Sequence, residues 1–265
     1  MECLSTNGPG IPVRSRDLPD LSIVSVREAV SSGWEITAVL MSEEFYGRGI
    51  FDDVDMRGYI VSDKLFASIS DTENPQGIMA VVKMPDKTDF NVLEESSGLL
   101  ILDRVQDPGN LGTLIRTADA FGAGGIILSE GCADIYNPKV QRAAMGSIFH
   151  VPIYRMANLS RVINDLKNTG FKIFAAHLEG EIIKKAGSRG QGAECRAQGA
   201  ALFAERSKLA VIIGNEAKGI SEEIAVLADK LIKIPMPGNA ESLNASVAAG
   251  IVMYELFVGG GRGRD

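Results

Sequence analysis

A chain of 265 residues, 45% hydrophobic and 23% charged, carries enough apolar side chains for a sizeable core and reads as soluble and globular. Its formal net charge of −7 argues against a surface that is basic throughout, so a polyanionic partner would have to meet a local basic groove. Cys3, Cys132 and Cys195 share no CxxC or metal-type spacing, His150 and His177 stand alone, and no apolar run spans a bilayer, which excludes a disulfide framework, a recognisable metal site and a membrane anchor.

Residues 1–20, rich in Pro, Gly, Ser and charge, read as a flexible lead-in without the apolar core of a secretion signal, so the expected location is the cytoplasm or an organelle interior. Residues 21–84 read as a small α/β unit. Val24 to Val30 has a helical pattern, EITAVLMS and GIMAVVKM read as strands, and SDKLFASIS reads as a short helix between them. The polar stretch 85–97 suits a linker.

From 98 to 258 short apolar runs alternate with amphipathic stretches. The expected strands are LLILDRV, GIILSE, VPIYR, FKIFAAHL, LAVIIGN and LIKIPM. The expected helices are Leu111–Phe121, Pro138–Ser147, Leu159–Asn168, Ser221–Ala228 and Leu243–Phe257. Strands that are apolar throughout, alternating with helices, point to a parallel sheet covered on both faces. Such sheets bind ligands beyond the carboxyl ends of their strands, so the informative loops follow Val105, Ile213 and Met236. Residues 180–208, rich in Gly, Ala and Arg without a period, read as a mobile surface insertion rather than an RNA-contacting arm, and 259–265 as a frayed tail.

Three segments lie at those strand ends. In DPGNLGTLIRTADAFGA a turn runs into a helix that Asn110 is placed to cap, with Arg116 six residues later; a turn, a cap and a solvated arginine would leave the same trace. IIGNEAKGIS ends an apolar strand in Gly214, Asn215 and Glu216, which also fits a plain charged loop. In IPMPGNAESLNASVAAGI the strand stops at proline, and Ser242, Asn244 and Ser246 gather where a long helix opens. One cap needs one such residue, and free backbone N–H groups there suit an anionic ligand. The glycines form neither GxGxxG after a strand nor GxxxxGK[ST], which disfavours a nucleotide-binding enzyme of the dinucleotide or P-loop kind.

Taken in order, the three segments resemble the motifs of the SpoU/TrmH family of RNA 2′-O-methyltransferases, over nearly all of Leu99 to Leu256 outside the insertion. More weakly, ISDTENPQGIMAVV resembles the end of the small RNA-binding domain that precedes the catalytic domain in many members. The resemblance implies an α/β fold, a parallel-sheet catalytic domain with a C-terminal trefoil knot behind a small α/β RNA-binding domain. It also implies S-adenosyl-L-methionine as methyl donor with no metal, and a homodimer in which both subunits contribute to the site. Ribosomal RNA is the expected substrate ahead of transfer RNA, with a noncatalytic RNA-binding factor as the rival; the presence of all the expected polar residues disfavours that rival.

By matching position, the resemblance implies that Gly214, Ile234 and Leu243 contact the donor and that Asn110, Arg116, Glu216, Ser242 and Asn244 form the polar catalytic set. An arginine that grips the adjacent phosphate and stabilises the developing alkoxide fits the chemistry better than a neutral guanidine base. Arg104, Arg116, Lys139 and Arg142 are expected to form a local basic surface for RNA. Three features depart from the family pattern: Ala217 stands where many members have glycine, the insertion is long, and the opening strand of the small domain is not recognisable.

Overall fold

The computed structural model describes residues 2–3, 23–49, 58–70, 74–83, 93, 95–182 and 208–258. They divide into two units, Met1–Lys87 with Met145–His150, and Thr88–Ala144 with Val151–Asp265. In the first, β1 (Glu2–Cys3), β2 (Ile36–Ser42), β3 (Gly58–Val61) and β4 (Ile78–Val82) form one sheet in the order β1-β3-β2-β4. β4 alone runs antiparallel to its neighbour. Helix α1 (Ile23–Ser31) and the one-turn helix α2 (Glu43–Tyr46) flank β2, and α3 (Asp63–Ile69) follows β3. Ser42 and Ser62 cap α2 and α3 by accepting the N–H groups of Phe45 and Leu65. Ala38, Leu40, Val61, Phe66, Met79 and Val81 form a core cluster of this unit.

The sequence leaves three of these elements unread. β1 is two residues long, and β3 and α2 four each, too short for any period to stand out. Glu2 and Cys3 thus belong to a strand rather than to a flexible lead-in; Leu4–Ser22 lies outside the described residues, as do most of the expected linker and the tail from Gly259.

The second unit holds a six-stranded parallel sheet in the order β10-β8-β9-β5-β6-β7. Its strands are β5 (Gly98–Asp103), β6 (Gly125–Ser129), β7 (Ile153–Met156), β8 (Phe171–Ile182), β9 (Lys208–Gly214) and β10 (Lys230–Lys233). Alternate residues of the central strands serve opposite faces. Leu100, Leu102, Val211 and Ile213 pack with α4 (Pro108–Ala120), α5 (Pro138–Ala144) and α8 (Ala245–Met253). Leu99, Ile101, Ala210 and Ile212 pack with α6 (Leu159–Asn168) and α7 (Glu222–Ala225). Burial on both faces explains why β5 reads as an unbroken apolar run.

Two close approaches need glycine. A Cβ on Gly112 would lie 2.5 Å from the Val140 carbonyl oxygen, so α4 and α5 pack backbone to backbone. A Cβ on Gly214 would lie 2.2 Å from the Ile220 nitrogen, where the chain folds back after β9. The expected insertion begins later than residue 180, because Gly180 to Ile182 continue β8, and Glu181 and Ile182 pair with Ile232 and Lys233 of β10; residues 183–207 lie outside the described residues. Gly180 makes that pairing possible, since a Cβ there would fall 2.6 Å from the Ile232 nitrogen.

Candidate active site

The carboxyl ends of β5 and β9 are adjacent, with Asp103 opposite Gly214. The loop after β5 enters α4 through Asp-Pro-Gly-Asn, and Asp107 is the N-cap: its Oδ1 accepts the Asn110 N–H at 2.7 Å. The sequence expectation that Asn110 caps this helix is therefore corrected. Proline fits the first helical position, where its fixed φ and missing N–H cost nothing, and this assigns the cap to the residue before it. Asn110, three positions into the helix, has its side chain released from capping.

That side chain is gripped from two sides. Its Nδ2 donates to Glu216 Oε1 at 3.2 Å, and its Oδ1 accepts from Asn244 Nδ2 at 2.9 Å. Glu216 also accepts the backbone N–H groups of Asp107 at 3.1 Å and Gln106 at 3.3 Å. Asn244 caps α8, its Oδ1 accepting from the Ser246 hydroxyl at 2.5 Å and the Ser246 N–H at 2.9 Å. The three segments singled out in the sequence are thereby joined by one hydrogen-bonded chain, Glu216–Asn110–Asn244. The direction of each bond fixes the amide orientation: a flipped Asn110 would turn its oxygen toward the Glu216 carboxylate.

Partial burial pushes the Glu216 carboxyl up, but the hydrogen bonds from its own backbone N–H, Asn110, Asp107 and Gln106 outweigh it and hold the group below its ordinary 4.5. A carboxylate so fully engaged is a poor proton acceptor; it positions its neighbours. Cys132 offers no nucleophile, because burial raises its pKa and its Sγ donates to the Leu102 carbonyl at 3.3 Å. Among the described residues no group of three or more His, Cys, Asp or Glu side chains is arranged to hold a metal ion, and no helix is long and apolar enough to cross a membrane.

A model of the SpoU rRNA methylase family matches residues 98–254, and one of an MRM3-like substrate binding domain matches residues 23–80. The chain belongs to the SpoU rRNA methylase family. It is 35% identical to the 23S rRNA (guanosine(2553)-2′-O)-methyltransferase RlmP of Bacillus subtilis over 233 residues, 87% of this chain and 84% of that protein. The SpoU methyltransferase AviRb from Streptomyces viridochromogenes, solved in complex with the cofactor AdoMet, superposes with a TM-score of 0.73 at 26% identity, covering 92% of this chain and 90% of that one. An AdoMet-bound rRNA methyltransferase from Sinorhizobium meliloti gives 0.71 at 30% identity, covering 91% and 87%.

Within this SpoU domain the sequence-expected residues separate into groups. Asn110, Glu216 and Asn244 are brought into contact. Arg116 lies nearly two turns further along α4, exposed, its side chain making no hydrogen bond or ion pair among the described residues, and the Ser242 side chain is likewise exposed and unbonded. Gly214 ends β9; Ile234, expected within a strand, follows the end of β10, and Leu243, expected to open a helix, precedes the α8 cap. Arg104 stays partly exposed, but its guanidinium pairs with Asp103 at 3.2 Å, which offsets its charge in the expected basic surface. Arg116, Lys139 and Arg142 remain exposed on α4 and α5, with no ion pair among the described residues. Sequence reasoning missed Asp103, Asp107 and Ser221, and noted Asn215 only as a polar residue at the end of β9; of the three missed, Asp103, a carboxylate closing an apolar strand, carried a visible signal.

Proposed function

We propose that this protein transfers the methyl group of S-adenosyl-L-methionine to a ribose 2′-hydroxyl of ribosomal RNA. The observation that carries this reading is the Glu216–Asn110–Asn244 chain, which draws three loops together at the carboxyl end of a parallel sheet. Membership of the SpoU family and the rRNA 2′-O-methyltransferase named among its relatives support the same reaction.

The residues present fit the donor. The backbone groups of Ile234 and Leu243 have no hydrogen-bond partner among the described residues, which leaves donors and acceptors at two loop ends for its polar groups. Gly214, Ile234 and Leu243 would hold it, within loops that the family reading makes a trefoil knot. When bound, S-adenosyl-L-methionine supplies an electrophilic methyl on a sulfonium centre. The chain's own part is alignment and charge. After Asn110 donates to Glu216 and Asn244 donates to Asn110, each amide keeps one hydrogen, which in this reading orients the ribose hydroxyl in line with that methyl, with Ser242 beside them. Arg116 holds the neighbouring phosphate and stabilises the alkoxide as the hydroxyl proton leaves.

Arg116 stands outside the cluster within one protomer, and the functional unit in this reading is a homodimer in which one protomer's Arg116 serves its partner's site. Leu243, Val247, Ile251 and Tyr254 support it. Val247 and Ile251 lie one turn apart on α8, Leu243 stands just before its cap and Tyr254 just after its last residue, and each is 36% to 52% exposed. α8 packs on α4, the helix that carries Arg116, so such an interface would lie beside that residue. The small unit, matching a substrate binding domain, and the cations Arg116, Lys139 and Arg142 are the proposed RNA contacts. Mapping ribose methylation in ribosomal RNA from cells with and without the protein tests the reading: one site should lose its methyl group, and identical maps would reject it.

A further inference from the structure

Among the described residues, Asp103 is the one charged side chain that is fully buried, 3% exposed. Its Oδ2 accepts both the N–H and the hydroxyl of Ser221, each at 2.8 Å, and its Oδ1 pairs with Arg104 Nε at 3.2 Å. A buried carboxylate is costly unless paired and hydrogen-bonded, and Asp103 is both. Its partner is unusual as well. Arg104 has φ of 57°, the left-handed region that a residue with a Cβ seldom enters.

Three contacts hold Arg104 there. Its N–H donates to Ser129 Oγ at 2.8 Å, its carbonyl accepts from Asn215 Nδ2 at 2.8 Å, and its guanidinium is taken by Asp103. Its stem lies over Gly131, where a Cβ would fall 2.6 Å from Arg104 Cγ. Strain of this kind persists where the surroundings over-determine it, commonly beside a functional site. Here it falls two residues before Gln106, whose N–H Glu216 accepts. The loops after β5 and β9 are thus laced at three levels: Asp103 to Ser221, Arg104 to Asn215, and Gln106, Asp107 and Asn110 to Glu216.

We propose that Asp103 is a positioning residue for methyl transfer: anchored by Ser221 and Arg104, it sets the register of the two loops so that Glu216 closes on Gln106, Asp107 and Asn110. The proposal rests on reading Glu216, Asn110 and Asn244 as the transfer site. Its test is single-turnover methylation of ribosomal RNA by Asp103→Asn and Ser221→Ala, alone and combined with Glu216→Gln, with donor affinity and thermal midpoint measured on the same samples. Asp103→Asn should slow transfer on the order of tenfold to a hundredfold, with donor affinity within about twofold of wild type. Ser221→Ala should slow it less, and Ser221→Thr, which keeps the hydroxyl, should restore it.

Combined with Glu216→Gln, either change should add little, because residues acting as one unit are not additive. A lowered midpoint with an unchanged rate for the folded protein, or losses that multiply in the double variants, would overturn the proposal. The Ser221 series carries the same comparison if Asp103→Asn does not fold. A wild-type rate in Glu216→Gln alone would remove the transfer-site reading itself, a failure distinguishable from a silent Asp103→Asn beside an impaired Glu216→Gln.

Discussion

Asn244 does two jobs with two atoms, and substitution can separate them. Its Oδ1 caps α8, and its Nδ2 donates to Asn110 at 2.9 Å. Asn244→Ala removes both. Losing the cap costs about 1 kcal/mol, which in a protein of this size lowers the thermal midpoint by roughly 2–4 °C. Asn244→Asp keeps the capping oxygen and stays near the wild-type midpoint, but it sets a second oxygen against Asn110 Oδ1. Asn110 cannot relieve this by flipping, because its Nδ2 is held by the Glu216 carboxylate. The hydroxyl-orienting chain is broken, and misalignment of reacting groups costs on the order of a hundredfold in rate. Thermal melts and single-turnover methylation at saturating donor and RNA read the two effects apart. An aspartate variant that transfers within about twofold of wild type would refute the alignment role, whatever the alanine variant does.

Arg116→Ala should leave donor affinity nearly intact and slow transfer by about a hundredfold to a thousandfold, the usual loss of one donor to a developing oxyanion; Arg116→Lys should rescue little, and a near-normal rate in either single-turnover assay would end this role. Ile251→Glu places a charge in the exposed apolar stripe of α8, so sedimentation at micromolar concentration should change from dimer to monomer; a wild-type protein that sediments as monomer defeats the dimer reading. Glu216 has a folded pKa below its ordinary 4.5, so its stabilising effect is complete above that value and lost as pH falls through the lower folded one. Urea midpoints of wild type and Glu216→Gln should therefore differ at neutral pH and converge in acid, and a gap that widens in acid contradicts the assignment.

The parallel sheet was legible because β5 and β9 are covered on both faces, leaving unbroken apolar runs, and because α4 and α6 carry long periodic patterns. α2, β1 and β3 were not, since elements of two to four residues are made by pairing and caps rather than by their own pattern. At the site, Asn110, Glu216 and Asn244 stood out as polar groups at strand ends. Their mutual bonding lay beyond reach, because it depends on Asp107 taking the cap that the sequence pattern assigns to Asn110. The Asp103–Arg104 latch was hidden for a different reason. A left-handed arginine leaves no mark in composition or period, and Ser221 meets Asp103 across 118 residues of sequence.

The most direct test of the central claim is to incubate the protein with S-adenosyl-L-methionine carrying a deuterated methyl group and an unmodified 23S ribosomal RNA transcript. The RNA is then digested to nucleosides, and the label is located by mass spectrometry. Transfer to a ribose 2′-oxygen should appear as one labelled 2′-O-methylnucleoside, and it should vanish when the acceptor position is synthesised as a 2′-deoxynucleotide in a fragment spanning the site. Label on a base, or none on the RNA while the protein binds both donor and transcript, would contradict the account.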